Sequence, residues 1–177
     1  MGAKDAMAEL NKSFGAGTVW GPGETQALGL EFISTGLLSL DLISGGGYPK
    51  GRIIEIYGPE ASGKSTLALM GCAEAQKLGI QVAYIDMEHA LDLGLADIMG
   101  VDTNNWYVSQ PNSGEQCGSI VEALIASGEI GFAVVDSVAA MVPQAELEGE
   151  VGDATMGAQA RMMGQIIRKL TPLVSRT

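Results

Sequence analysis

Gly58-Pro59-Glu60-Ala61-Ser62-Gly63-Lys64-Ser65 sets two glycines, a lysine and a serine at the spacing GxxxxGK[ST], which fits the task of holding a nucleoside triphosphate by its phosphates. Glycines at 58 and 63 permit a turn tight enough for successive N–H groups to point inward at phosphate oxygens. A helix opening at Gly63 and running on through Thr66 adds the positive end of its dipole. Lys64 is spaced to reach the β and γ phosphates, and the Ser65 hydroxyl to ligate Mg²⁺. The alternative is a chance glycine loop between strand and helix; all four fixed positions and both flanks match, which weighs against it.

Carboxylates at strand ends are the next candidates. Asp136 closes the apolar run Gly131-Phe132-Ala133-Val134-Val135, where it would reach Mg²⁺ directly or through a water held by Ser65. The same Asp136-Ser137 pair would also serve as a turn or helix cap. Glu88 follows another such run by two residues, and hydrolysis needs a group there to orient and polarise water. Position alone does not rank Asp86, Glu88 and Asp92. His89, the single histidine, has no metal-ligating partner nearby and reads as a loop or packing residue.

The elements that must hold these groups follow from the hydrophobic pattern. Arg52-Ile53-Ile54-Glu55-Ile56-Tyr57 reads as the strand ahead of the glycine loop, and Ile80 to Asp86 as the next strand after a helix stopped by Gly79. A weaker strand falls at Trp106-Tyr107-Val108, a helix over Glu115 to Ser127, and a strand buried on both faces over Gly131 to Asp136. Leu37 to Ile43 reads as a short helix stopped by Gly45-Gly46-Gly47. Alternating strands and helices predict an α/β fold of P-loop type: an open, mostly parallel sheet with helices on both faces and ligands at the strands' carboxyl ends. The amphipathic stretch Ala6 to Phe14, followed by the turn Gly21-Pro22-Gly23, predicts a short helical arm and linker over residues 1–30, with the core over 31–177.

Composition narrows the partners. The 177 residues are 46% hydrophobic and 18% charged, the composition of a globular chain with a sizeable core. No run approaches a membrane span and the N-terminus lacks the order of a secretion signal, so a cytoplasmic protein without membrane contact is expected. Cys72 and Cys117 lack zinc or disulfide-framework spacing and are expected as buried, reduced thiols. A net charge of −11 argues against broad attraction to nucleic acid, so any such contact must be local. Arg161, Arg168 and Lys169, with Arg176 beyond, form the one basic cluster, which a solvated helix face would equally explain. Met156, Ala160, Met163, Ile167 and Leu170 recur at helical spacing as an apolar stripe, with Arg161, Gln165 and Arg168 nearly opposite.

Motifs beyond the glycine loop resemble the bacterial RecA recombinase family. They are Ser34-Thr35-Gly36, Leu38-Ser39-Leu40-Asp41, Gly51-Arg52-Ile53, Glu55 to Glu60, Ile85 to Asp92, Ser109-Gln110-Pro111, Gly114-Glu115-Gln116 and Val134 to Ala140. Ala145 to Asp153, Met156-Gly157 and Ala160-Arg161-Met162-Met163 are similar to that family's first DNA-binding loop and the helix after it. The resemblance implies an ATP- and Mg²⁺-dependent recombinase that forms a filament on single-stranded DNA and exchanges strands with a homologous duplex in DNA repair. It assigns Glu88 to water activation and Asp92 to an adenine-side contact. It assigns Met156, Gly157, Arg161 and Arg168 to DNA, and the N-terminal arm to a neighbouring subunit.

Departures from the family pattern carry expectations of their own. Leu95 stands where the family usually places a tyrosine that stacks on adenine, and leucine offers no π face. The arm holds only Lys4 and Lys12 as basic residues. The family's further core strands, γ-phosphate-sensing glutamine and second DNA loop have no counterpart before Thr177, so a fragment or a chain needing a partner is expected. A nucleotide-binding module that docks on longer relatives without turnover is the alternative to an active DNA-dependent ATPase. A P-loop kinase fits less well, for want of a lid with clustered arginines.

Overall fold

The computed structural model describes residues 2–22, 30–149 and 157–176, and the chain divides into two compact units, Met1–Glu31 and Phe32–Thr177. In the first, helix α1 (Ala3–Phe14) begins three residues earlier than the amphipathic pattern suggests. The reason is local: the Gly2 N–H donates to Asp5 Oδ2 at 2.9 Å, a capping contact that extends the helix toward the terminus. Asn11 clasps the returning chain, its Oδ1 accepting from the Val19 N–H and its Nδ2 donating to the Val19 carbonyl, both at 2.9 Å. No residue of α1 is buried, and Leu10 and Phe14 are exposed.

The second unit is α/β. Strands β1 (Phe32–Ile33) and β2 (Tyr48–Pro49) form an antiparallel pair around helix α2 (Leu38–Ser44). Helix α3 (Lys64–Lys77), strand β3 (Gln81–Asp86), helix α4 (Leu93–Ile98), strand β4 (Tyr107–Ser109), helix α5 (Gly114–Ala126) and strand β5 (Ile130–Asp136) follow. The short helix α6 (Gln144–Glu148) and the long helix α7 (Ala158–Val174) complete it. The three longer strands form a parallel sheet in the order β4-β3-β5, with Asp86 opposite Asp136.

Alternation along β3 divides the core. Val82 and Tyr84 pack with Leu69, Cys72 and Ala73 of α3, whereas Ala83 and Ile85 pack with Cys117, Val121 and Ile125 of α5 and with Met162 and Leu170 of α7. A strand covered by helices on both faces must be apolar at nearly every position, and Val82 through Asp86 are all buried. Cys72 and Cys117 are free and buried; burial pushes their thiols up to about 12 and about 11, respectively, so they stay protonated and unreactive.

The expected strand over 52–57 does not form. Those residues join no ladder among the described residues, Ile53, Ile54 and Ile56 are exposed, and Tyr57 is 87% exposed. A strand exists only by pairing, and among the described residues β5, an edge of the sheet, pairs with β3 alone.

The apolar stripe predicted for α7 is also displaced. Of the predicted stripe, Leu170 is buried and Met163 packs in the core, whereas Ala160 is exposed and Ile167 is 45% exposed; Met162 is buried and Ile166, Leu173 and Val174 pack beside it. What turns the helix is its partner. A Cβ on Gly114 of α5 would lie 2.2 Å from Met162 Cε, and one on Gly118 would lie 2.8 Å from Ile166 Cγ1. The two glycines thus open a groove that accepts Met162 and Ile166 one turn apart, so packing rotates the buried face away from Ala160 and Ile167 while keeping Met163 and Leu170.

Candidate functional site

Helix α3 leads through a short turn into β3 and packs back along it, so its first turn sits at the carboxyl edge of the parallel sheet. The loop Gly58–Gly63 ahead of that turn is exposed throughout. Ala61 and Gly63 have φ of 55° and 87°, left-handed values that fold the loop back on itself, where the Ser62 N–H donates to the Pro59 carbonyl at 3.4 Å; turns of this kind occur in anion-binding loops. Gly58 lies so close to Ser62 that a Cβ would meet its Oγ at 2.9 Å. Gly63 caps α3 with no side-chain hydrogen bond, whereas Asp92 caps α4 through the Leu95 N–H and Ser113 caps α5 through the Gln116 N–H. Lys64 bends over the loop, Nζ donating to the carbonyls of Pro59 at 2.9 Å and Gly58 at 3.1 Å. An ammonium group over uncapped amides fits a polyanion. Pro59, Glu60 and Ser62 contribute the exposed turn, Ser65 lies exposed in the first turn of α3, and Thr66 is half-buried after it.

At the same sheet edge the three acidic candidates separate. Asp86, 3% exposed, accepts from the N–H groups of Glu88 and Leu91 at 3.1 and 3.0 Å and from Gln110 Nε2 at 2.9 Å. Burial pushes its carboxyl up, but Gln110 and the backbone donors of Leu91, Ala90 and Glu88 outweigh that and hold it below the usual carboxylate range. Asp86 therefore orders the 87–91 loop. Asp92 Oδ1 accepts from the Leu95 N–H at 3.0 Å, the role of a helix cap, and Leu95 packs on the α3-side core. Glu88 is exposed, and Ser137 Oγ donates to its Oε1 at 2.5 Å. His89 is exposed with φ 54°, a loop residue.

Asp136 is half-buried. Its carbonyl accepts from the Met87 N–H at 2.7 Å and its Oδ2 from the Tyr84 hydroxyl at 2.6 Å, so its side chain is engaged by a core tyrosine rather than by a helix end. No cluster of three or more His, Cys, Asp or Glu able to hold a metal occurs among the described residues. Mg²⁺ does not need one, because it keeps several waters and takes one or two protein oxygens plus phosphate, a set that Ser65 and Asp136 can complete.

A second candidate surface lies on α7. Gly157, with φ 72°, starts the helix, and Arg161, Gln165 and Arg168 stand one turn apart on its exposed face, lining a shallow recess with Ala160 and Gly164. Lys169 leaves the cluster and pairs with Glu122 of α5 at 3.3 Å. Gln159 Nε2 donates to the carbonyls of Val138 and Met141 at 3.1 and 3.2 Å, tying the first turn of α7 to the segment that follows Asp136-Ser137. Met156 lies outside the described residues.

Tyr84, Gln110, Ser137 and Gln159 have no part in the site as read from sequence; Ser137 enters only as an alternative cap with Asp136 and within a motif of the family resemblance, and Gln110 only within such a motif. Gln110 and Ser137 do follow predicted strands at the carboxyl edge, which is the signal that could have found them. For Tyr84 there is none, since a tyrosine within an apolar strand reads as core.

Residues 2–177 match the family described as the RecA N-terminal domain. The chain is 55% identical over 175 residues to Protein RecA of Clostridium botulinum (strain Eklund 17B / Type B), covering 98% of this chain and 49% of that protein. It is 56% identical over 173 residues to Protein RecA of Clostridium novyi (strain NT), covering 97% and 49%. With Protein RecA of Geobacter sulfurreducens it shares 54% over 174 residues, covering 97% and 52%. The chain thus spans about half the length of these relatives.

Proposed function

The chain belongs to the RecA family, and on that premise we propose that it supplies the nucleotide-binding and first DNA-binding parts of an ATP-dependent recombinase. The observation that carries this reading is the uncapped, glycine-turned loop with Lys64 over it, at the same sheet edge as Glu88 and Asp136.

Backbone amides of residues 60–65 and the Lys64 ammonium bind and orient the phosphates of ATP. Ser65 and Asp136 hold Mg²⁺, which when bound neutralises phosphate charge and fixes the geometry of the tail. Glu88 is the acid best suited to polarise water, because Asp86 is spent on ordering its loop and Asp92 on capping α4. Ser137 orients the Glu88 carboxylate. Asp92 and Leu95 flank the base.

Arg161 and Arg168, with Gly157 and Met156 ahead of them, contact single-stranded DNA, the arginines by pairing with phosphate. The exposed apolar residues of α1 support a role for residues 1–30 as an arm that packs on a neighbouring copy in a filament, with 31–177 as ATPase core. No helix among the described residues is long and apolar enough to cross a membrane, and the proposed setting is the cytoplasm.

A second reading has its own support. Exposed Ile53, Ile54 and Ile56 beside a glycine loop suit a module that binds nucleotide and docks on a longer relative without turnover.

Equilibrium binding of a fluorescent ATP analogue, with hydrolysis measured in the presence of single-stranded DNA and Mg²⁺, tests both. Binding abolished by Lys64→Ala is expected on either reading, and hydrolysis abolished by Glu88→Gln only on the first. A folded chain that binds no adenine nucleotide refutes both.

A further inference from the structure

Taking Asp136 as the metal-side carboxylate, as proposed above, we infer that Tyr84 is a positioning residue for it. The Tyr84 hydroxyl, through its 2.6 Å hydrogen bond to Oδ2, fixes the rotamer that Asp136 presents to Mg²⁺.

The sheet register brings the two together. Tyr84 pairs with Val134 across β3 and β5, and Asp136 lies two residues beyond Val134 on the same, α3-side face, the diagonal distance at which a long side chain reaches across strands. The ring is immobilised. Tyr84 is 2% exposed, packs in the α3-side core, and meets Trp106 at a centroid distance of 5.6 Å. Its hydroxyl is therefore placed by core packing rather than by solvent. Between a phenol hydroxyl and a carboxylate the hydroxyl is the donor, so the bond runs from Tyr84 to Asp136. A carboxylate that must offer one oxygen to a hydrated cation gains from having the other held by a rigid donor.

The competing account is that a buried tyrosine needs some acceptor for its hydroxyl and Asp136 happens to supply it. Both accounts predict a folded Tyr84→Phe variant, since phenylalanine fills the same space. They part over the metal. If Tyr84 positions Asp136, the Mg²⁺ concentration for half-maximal enhancement of ATP-analogue binding rises about tenfold in Tyr84→Phe, the lower end for loss of a partner that orients a metal ligand. Metal-free affinity for the analogue stays unchanged. In an Asp136→Asn background the tyrosine substitution adds no further shift.

An unchanged Mg²⁺ midpoint in folded Tyr84→Phe overturns the inference while leaving the nucleotide reading intact. An unsubstituted chain whose analogue binding ignores Mg²⁺ overturns the assignment of Asp136, and with it the role of Tyr84. Should Tyr84→Phe not fold, the unsubstituted chain still decides. The Tyr84 hydroxyl proton resonance must shift when Mg²⁺ is added to the analogue-bound chain, and a resonance that stays in place refutes the coupling.

Discussion

Replacing Gly118 by alanine tests whether the groove in α5 sets the position of the arginine-bearing helix. On helix propensity alone the substitution stabilises by about 1 kcal/mol, because glycine sits poorly inside a helix. Against this, the new methyl would lie 2.8 and 2.9 Å from Ile166 Cγ1 and Cδ1, closer than carbon atoms approach, with Gly118 buried at the seam. Overpacking of this kind costs about 1–3 kcal/mol, so the net effect is a loss of about 1 kcal/mol. In a chain of this length that lowers the melting temperature by about 2–4 °C.

The sign should reverse when the clash is removed. In an Ile166→Ala background the same Gly118→Ala change recovers its propensity and stabilises by about 1 kcal/mol, a coupling of about 2 kcal/mol between the two sites. Urea unfolding of the four chains reads this directly. On the proposed reading, single-stranded DNA binding, followed by anisotropy, weakens in Gly118→Ala because α7 carries Arg161 and Arg168, while ATP-analogue binding at the loop ahead of α3, a helix packed on the other side of β3, holds. If Gly118→Ala alone stabilises by the full propensity gain, the seam has slack and does not position α7.

Asp86→Asn should destabilise by about 2–3 kcal/mol, because an amide cannot accept from all the donors that converge on the carboxylate. The native carboxyl titrates below its unfolded value of about 3.9, so its contribution is complete at neutral pH and is lost as pH falls through that depressed value. Urea midpoints measured from pH 7 to 3 should show a steeper acid-side decline for the unsubstituted chain than for Asp86→Asn. Arg168→Ala, on an exposed helix face, should leave stability within about 0.5 kcal/mol and reduce the slope of log affinity for single-stranded DNA against log salt by about 0.7. Ser137→Ala should leave ATP-analogue affinity unchanged while slowing any DNA-stimulated hydrolysis, through the freed Glu88 carboxylate; an unaltered rate would remove Ser137 from that role.

Much of the candidate site is legible in the sequence, because the proposed chemistry is local. A glycine loop that closes on itself needs only residues 58–65 in order, and the helix that starts at Lys64 and the strand ending at Asp136 fall within a residue of their expected places, although only Ile130 and Val134 of that strand are buried, because β3 is its one strand neighbour among the described residues. β3, flanked by a strand on each side, shows the uninterrupted apolar run and the burial that such a position requires. What was not legible depended on partners distant in sequence. Residues 52–57 have the composition of a strand and form no ladder, since pairing is decided by a neighbour and not by the run itself.

The rotation of α7 belongs with these. Its own apolar periodicity admits more than one buried face, and the groove made by Gly114 and Gly118, some fifty residues earlier, chooses among them. The ranking of the acids was likewise a tertiary matter. Asp86, Glu88 and Asp92 are equivalent as carboxylates near a strand end, and only the donors that folding brings to each, Gln110 to one, Ser137 to another and a helix amide to the third, separate an anchor from an exposed acid and a cap. Sequence thus determined which residues could do chemistry and the elements that carry most of them. Tertiary structure decided which of those residues remain unspent on holding the fold, because hydrogen bonds and close packing across the sheet are satisfied between residues that have no local means of recognising one another.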